Sequence, residues 1–275
     1  MTLNISGPLL VFGGPYSNLE ALKAIREVAN VRNIPADHVL CTGDVVAYCA
    51  DAKACADEIR DWGIAVVMGN CEESLGEGAN DCGCGFEEGT GCDLLSKQWF
   101  DHASKQLDAD DCSWMANLPR SIDLRFTPFK MRAIHGGVDQ INKFVFASQK
   151  DVIADELRMA DVDIVLAGHC GLPFAKQVGD QYWINAGVIG MPANDGGAHT
   201  WYCLIEPDER GLDVSFHQLS YDFAMTADKM RAQGLAEGYA SALSSGLWPS
   251  LDVLPEVEKK NQGQGLSLSR LRINP

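Results

Sequence analysis

The chain has 275 residues, 46% hydrophobic and 22% charged, and its 38 acidic against 22 basic side chains give a net charge of −16. That length buries a full core for one large domain with an appendage. The acidic surface repels phosphate backbones and anionic headgroups, so neither a general nucleic-acid binder nor a membrane-surface protein is expected. A phosphate-bearing substrate would need a local reversal of that field, which a bound divalent cation supplies.

The first apolar run ends at Gly13-Gly14. It is too short for a signal peptide or membrane span and reads as a buried first strand over 8–12. No later run approaches 18 apolar residues, so the expected compartment is the reducing cytoplasm. The ten cysteines then read as packing groups, metal ligands or redox groups rather than a disulfide framework. From Asn18 onward, Leu19, Leu22, Ile25 and Val28 recur on one helical face. A second strand at 39–42 ends in Gly43-Asp44, a helix spans about 51–62, and a third strand at 64–68 ends in Gly69-Asn70. Strand–helix–strand units of this length predict a parallel sheet with right-handed crossovers. Ligands bind such sheets beyond the strands' carboxyl ends, where both polar stops stand.

Residues 71–92 crowd glycine, acidic residues and four cysteines without apolar periodicity, and read as one long loop of the kind that is either functional or disordered. Helices follow at about 93–107 and 109–117. The second half is strand-rich, at 121–126, 130–134, 163–167, 181–185, 201–206 and 214–219, with one helix at about 149–160. The main domain is expected to span 1–220. Residues 221–275 read as a short helical extension anchored by Trp248 and Leu251, with mobile last residues.

Four polar groups follow strand-like segments: Asp44 in TGDVVAY, Asn70 in VVMGNCE, His135 in AIHGG and His169 in LAGHCGLPF. A carboxylate, an amide oxygen and two imidazoles suit a divalent metal such as Mn, Fe or Zn. Glycine beside each ligand permits the sharp turns needed when strand ends converge. Singly, each motif is as compatible with an ordinary turn or a structural histidine; their order is what carries information.

That order resembles the calcineurin-like metallophosphoesterase superfamily, whose motifs run DxHG(N), GD, GNH, HG and GHxH. The resemblance covers roughly 8–205 and extends to GHCGLPF at 168–174 and INAGVIG at 184–190. It implies a four-layer α/β/β/α sandwich of two mixed sheets. It also implies one cation held by Asp44, Asn70, His135 and His169, and hydrolysis of a small phosphorylated mono- or diester by metal-activated water, with Asp44 and His135 central to catalysis. The departures fall together. Gly14, Tyr16 and Gly171 stand where the family places three ligands of a second metal, and Cys71 stands where many relatives carry the histidine that assists the leaving group.

Cys71, Cys82, Cys84 and Cys92 are spaced C-x10-C-x-C-x7-C, and Cys71 and Cys170 each follow a predicted ligand. These thiols could build a replacement site for Zn or Fe, remain reduced in a polar lid, or form a redox disulfide. Cys-x-Cys is tighter than usual zinc spacing. Tyr16 and the amides at the Asn18 helix start are candidate pocket groups, and Cys71 and His199 candidate general acids. Two other readings remain open: a catalytically quiet metal-binding scaffold, like a retromer subunit of this fold, and a site re-tasked by a thiolate-bound metal.

Overall fold

The structure is a computed structural model and describes residues 2–275. Thr2–Asn4 form a short strand (β1) and Leu9–Phe12 the next (β2), whose four side chains are all buried. Leu9 and Val11 face one way and Leu10 and Phe12 the other, so this strand needs cover on both faces.

Two six-stranded sheets provide the frame. One runs, edge to edge, through Leu271–Ile273 (β12), Gly211–Leu219 (β11), Thr200–Asp208 (β10), β2, Val39–Cys41 (β3) and Ala65–Val66 (β4). The other runs through β1, Ser121–Phe126 (β5), Phe129–Ile134 (β6), Ile164–Ala167 (β7), Gln181–Asn185 (β9) and Phe174–Val178 (β8). β2, β3 and β4 are parallel, as their crossover lengths predict, whereas β10 returns antiparallel to β2.

The sheets pack face to face, with Leu9, Val11 and Leu40 meeting Ile122, Leu124, Met131 and Leu166. Outside the first sheet, Leu10 and Phe12 pack on Leu22 and Ile25 of Leu19–Val31 (α1) and Ile59 of Ala52–Trp62 (α2). Outside the second, Val165 and Trp183 pack on Ile153 and Leu157 of Lys150–Ala160 (α6). This is the four-layer sandwich of two mixed sheets that the resemblance implies. Cys41, Cys49, Cys55 and Cys203 are small buried members of it.

Local structure departs from the sequence reading in three places. Residues 71–92 are not one loop: Asn70–Glu77 (α3) is a helix, and Gly91–Gln106 (α4) begins before the segment ends. Glu72 and Glu73 lie in the first turn of α3, where carboxylates complement the helix dipole, a signal masked by the glycines that follow. Secondly, the strand at Phe174–Val178 went unread because its pattern is only half-buried at an edge. Thirdly, the last residues are not free. β12 pairs antiparallel with β11, Ile273 is buried, and the edge of the first sheet is covered.

The extension is also more than an appendage. Beyond Phe223–Ala232 (α7) and Glu237–Ser245 (α8), Trp248 packs between two apolar clusters while its indole N–H donates to the Pro192 carbonyl at 2.7 Å. Leu251 is only half-buried; Leu254 is the side chain seated in the core beside α6. Leu254→Ala should therefore cost about 2–4 kcal/mol in urea unfolding, whereas Leu247→Ala, at a 38% exposed position, should change stability by less than about 0.5 kcal/mol. Equal, small effects would show that the extension is not part of the core.

Candidate metal centre

Backbone geometry brings the four predicted ligands together. β3 delivers Gly43 and Asp44, the end of β4 leads through Gly69 to Asn70 at the start of α3, β6 ends one residue before His135, and β7 ends two residues before His169. Asp44 and His169 both take left-handed backbone, at φ 57° and 59°, a conformation costly for a side-chain-bearing residue. Gly43 is required: at φ 97°, an added Cβ would lie 2.7 Å from the Gly69 nitrogen and 2.8 Å from His135 Nδ1. A Cβ on Gly69 would strike Asp44 itself.

His135 Nε2 lies 3.3 Å from Asp44 Oδ2, 3.1 Å from Asn70 Oδ1 and 3.1 Å from His169 Nδ1. Its other nitrogen, Nδ1, is 2.6 Å from the Thr42 carbonyl oxygen and must donate there, since a carbonyl only accepts. Neutral His135 therefore presents a bare lone pair to a carboxylate, an amide oxygen and a second imidazole. The Asn70 orientation is set by its amide donating to the Cys82 carbonyl at 2.8 Å. Four lone-pair donors facing one another fit a shared cation, and the Thr42 contact is the backbone support typical of a ligating histidine. His169 Nε2 is buried without a close hydrogen-bond partner among the described residues, and the Asn142 backbone carbonyl beside the ring is the group that would hold its proton, leaving Nδ1 bare.

Without a cation these groups favour an Asp44–His135 ion pair, whose Nε2 proton a bound cation would displace. Burial opposes ionisation of Asp44, but His135 and then His169 outweigh it and hold the carboxyl below its usual range. Burial likewise opposes charge on His135, yet the Asp44 carboxylate raises it above an ordinary histidine. Burial and the neighbouring His135 push His169 down to about 3, leaving it a neutral ligand.

Glu72, absent from the sequence reading, clamps the turn that carries Asp44. One of its oxygens accepts from the Asp44 and Gly69 amides at 2.7 and 3.0 Å, and the other from Val46 at 3.3 Å. Burial and the Asp44 carboxylate push its own carboxyl up to about 7. The available signal was its place in the first turn of a helix beginning at a ligand. A cavity of about 70 Å³ opens from the centre to solvent, lined by both Asp44 and His169.

The remaining candidates separate. Tyr16 lines the cavity, where burial and the Asp44 carboxylate keep its hydroxyl neutral. Asn18 does not: its side chain caps α1 by accepting from the Ala21 amide and donates to the Gly190 carbonyl. His199 is held by Asp195 at 3.2 Å and is absent from the cavity wall, and buried Cys71 is likewise absent from it. The loop thiols do not assemble into a second centre. Cys82 and Cys84 are joined as a disulfide, Cys170 accepts from Asn185 at 3.2 Å, and Cys92 lies beside Ser250 and Asp252. Among the described residues, the one group of histidine, cysteine and carboxylate ligands close enough to share an ion is Asp44, His135 and His169.

The places of the missing second-metal ligands are filled. A Cβ on Gly14 would lie 2.5 Å from Tyr16 Cε1, and one on Gly171 3.1 Å from Trp248 Cζ2; both glycines have positive φ. Single substitutions at these positions cannot restore ligands while those rings remain.

Glu72→Gln replaces an acceptor with an amide group that must face backbone donors. It should lower stability by about 1–3 kcal/mol and weaken metal affinity about 10- to 100-fold, measured by thermal unfolding and metal titration. Unchanged affinity would show that the Asp44 turn holds without its clamp.

The sequence pattern described as the calcineurin-like phosphoesterase superfamily domain matches residues 17–210. An uncharacterized protein of Methanocaldococcus jannaschii is 24% identical over 260 residues, covering 88% of this chain and 99% of that one. A solved metallophosphoesterase from Sphaerobacter thermophilus superposes with a TM-score of 0.67 at 21% identity, over 88% of this chain and 100% of its own. A hypothetical protein from Pyrococcus horikoshii does so with a TM-score of 0.74 at 14% identity, over 90% of this chain and 100% of its own. The structural likenesses establish the fold. The sequence match spans well over half of the chain, which therefore belongs to the calcineurin-like phosphoesterase superfamily.

Proposed function

We propose that this protein hydrolyses phosphate esters using one divalent cation held by Asp44, Asn70, His135 and His169. The observation that carries this reading is the bare Nε2 of His135, 3.1–3.3 Å from the three other ligand atoms. When bound, the cation supplies Lewis-acid polarisation of a phosphoryl oxygen and acidifies water.

The chain's own groups orient and protect that chemistry. The Thr42 carbonyl keeps the His135 proton on Nδ1, and Glu72 fixes the turn bearing Asp44. Tyr16, neutral at the cavity wall, offers a hydroxyl to a phosphoryl oxygen. The buried apolar surroundings limit water and strengthen each polar contact. One cation and one carboxylate carry less positive charge than the two-cation centre of the resemblance, which favours a substrate bearing a single negative charge.

Purified protein should hold one equivalent of Mn, Fe or Zn and turn over a phosphodiester. Asp44→Ala should lose the metal and lower kcat/KM at least about 10³-fold, since several kcal/mol of charge stabilisation go with it. Stoichiometric metal with no turnover on a broad phosphoester panel would contradict hydrolysis and leave a metal-binding scaffold. Full activity in the metal-free Asp44→Ala variant would remove the centre from the mechanism.

A further inference from the structure

Resting on that hydrolase reading, we infer that the substrate is a singly charged phosphodiester carrying an aryl group, and that the ring occupies the aromatic cavity beside the centre. Tyr16, Tyr48, Phe86, Phe144, Tyr239 and Trp248 all line this space. Phe144 lies 4.2 Å from the His169 ring, so the aromatic wall begins at a ligand of the proposed cation. Flat rings gain burial and edge or face contacts against such a wall.

Charge narrows the ligand further. Among the described residues no lysine or arginine lines the cavity; its other functional groups are hydroxyls, the sulfurs of Cys84, Cys92 and Cys170, and the ligands themselves. A polyphosphate or a phosphate-rich headgroup would enter without a counter-charge, against a chain of net charge −16. A divalent cation beside the Asp44 carboxylate, with Glu72 behind it, leaves at most one positive charge, which favours a monoanionic diester over a more highly charged phosphate.

The leaving group completes the case. Neither Cys71 nor His199 reaches the cavity wall, so neither is placed to protonate a departing alkoxide. An aryl oxygen departs more readily without that help, a phenol having a pKa near 10. In the step, a water oxygen bonds to phosphorus as the bond from phosphorus to the aryl oxygen breaks. The electron pair leaves on the aryloxide, the water gives up a proton, and the products are a phosphomonoester and a phenol.

Calorimetric titration of the Mn-loaded protein with two inert monoanions tests this: benzyl(methyl)phosphinate, the phenyl compound, and dimethylphosphinate, the methyl compound, in both of which P–C bonds replace the ester bonds. The phenyl compound should bind at least about tenfold tighter. Phe86→Ala, at a half-buried position outside helices and strands, should cut that preference about fivefold and leave the methyl compound's affinity unchanged, whereas Leu94→Ala, at a 61% exposed position nearby, should change neither. Equal binding of both compounds, binding of neither, or a preference untouched by Phe86→Ala overturns the inference. Turnover of phosphodiesters with equal phosphinate binding removes the aryl class and keeps the hydrolase. Tight phenyl binding without turnover of any phosphoester removes the hydrolase and leaves an aryl-phosphoryl binding site.

Discussion

One histidine nitrogen governs the centre. Thr42 takes the only proton of neutral His135, so Nε2 faces a carboxylate, an amide oxygen and an imidazole with a lone pair of its own. Buried lone pairs that face one another need a proton or a cation between them, and Asp44 draws either one to that nitrogen. Holding them in that state takes a rigid scaffold, and the surrounding structure is arranged to supply it. Four strand ends from both sheets converge there, with two ligands on left-handed backbone and one turn clamped by the buried Glu72 carboxylate.

The space beside the centre has been rebuilt as a unit. Where three further ligands are expected from the superfamily resemblance, two glycines leave room for the rings of Tyr16 and Trp248. Trp248 arrives from the C-terminal extension and is pinned by the Pro192 carbonyl, while Tyr239 comes from α8 of the same extension. The segment beyond residue 220 is thereby a wall of the cavity as well as part of the core.

Much of this was legible in the sequence, for identifiable reasons. Leu19, Leu22, Ile25 and Val28 announce α1 because helical period dominates there, and glycine-flanked Asp44, Asn70, His135 and His169 mark strand ends. Less legible were features that depend on tertiary contact. Glu72 reads as an ordinary helix-start acid until its partners, the Asp44 and Val46 amides, are brought near. The cysteine spacing suggested a metal site, but although Cys84, Cys92 and Cys170 line the cavity, their sulfurs do not come close enough to one another to share an ion. Asn18 and His199 occupy suggestive positions beside glycine-rich turns, yet each is taken up by a structural partner. The polar, glycine-containing end of the chain concealed β12, whose pairing is decided by the exposed edge of β11.

Anomalous scattering from crystals grown with Mn tests the central claim most directly. The account predicts one strong peak bounded by Asp44, Asn70, His135 and His169, with none among Cys71, Cys82, Cys84, Cys92 and Cys170. A peak at the cysteines, two peaks at the centre, or four ligands empty in the presence of excess Mn would contradict it.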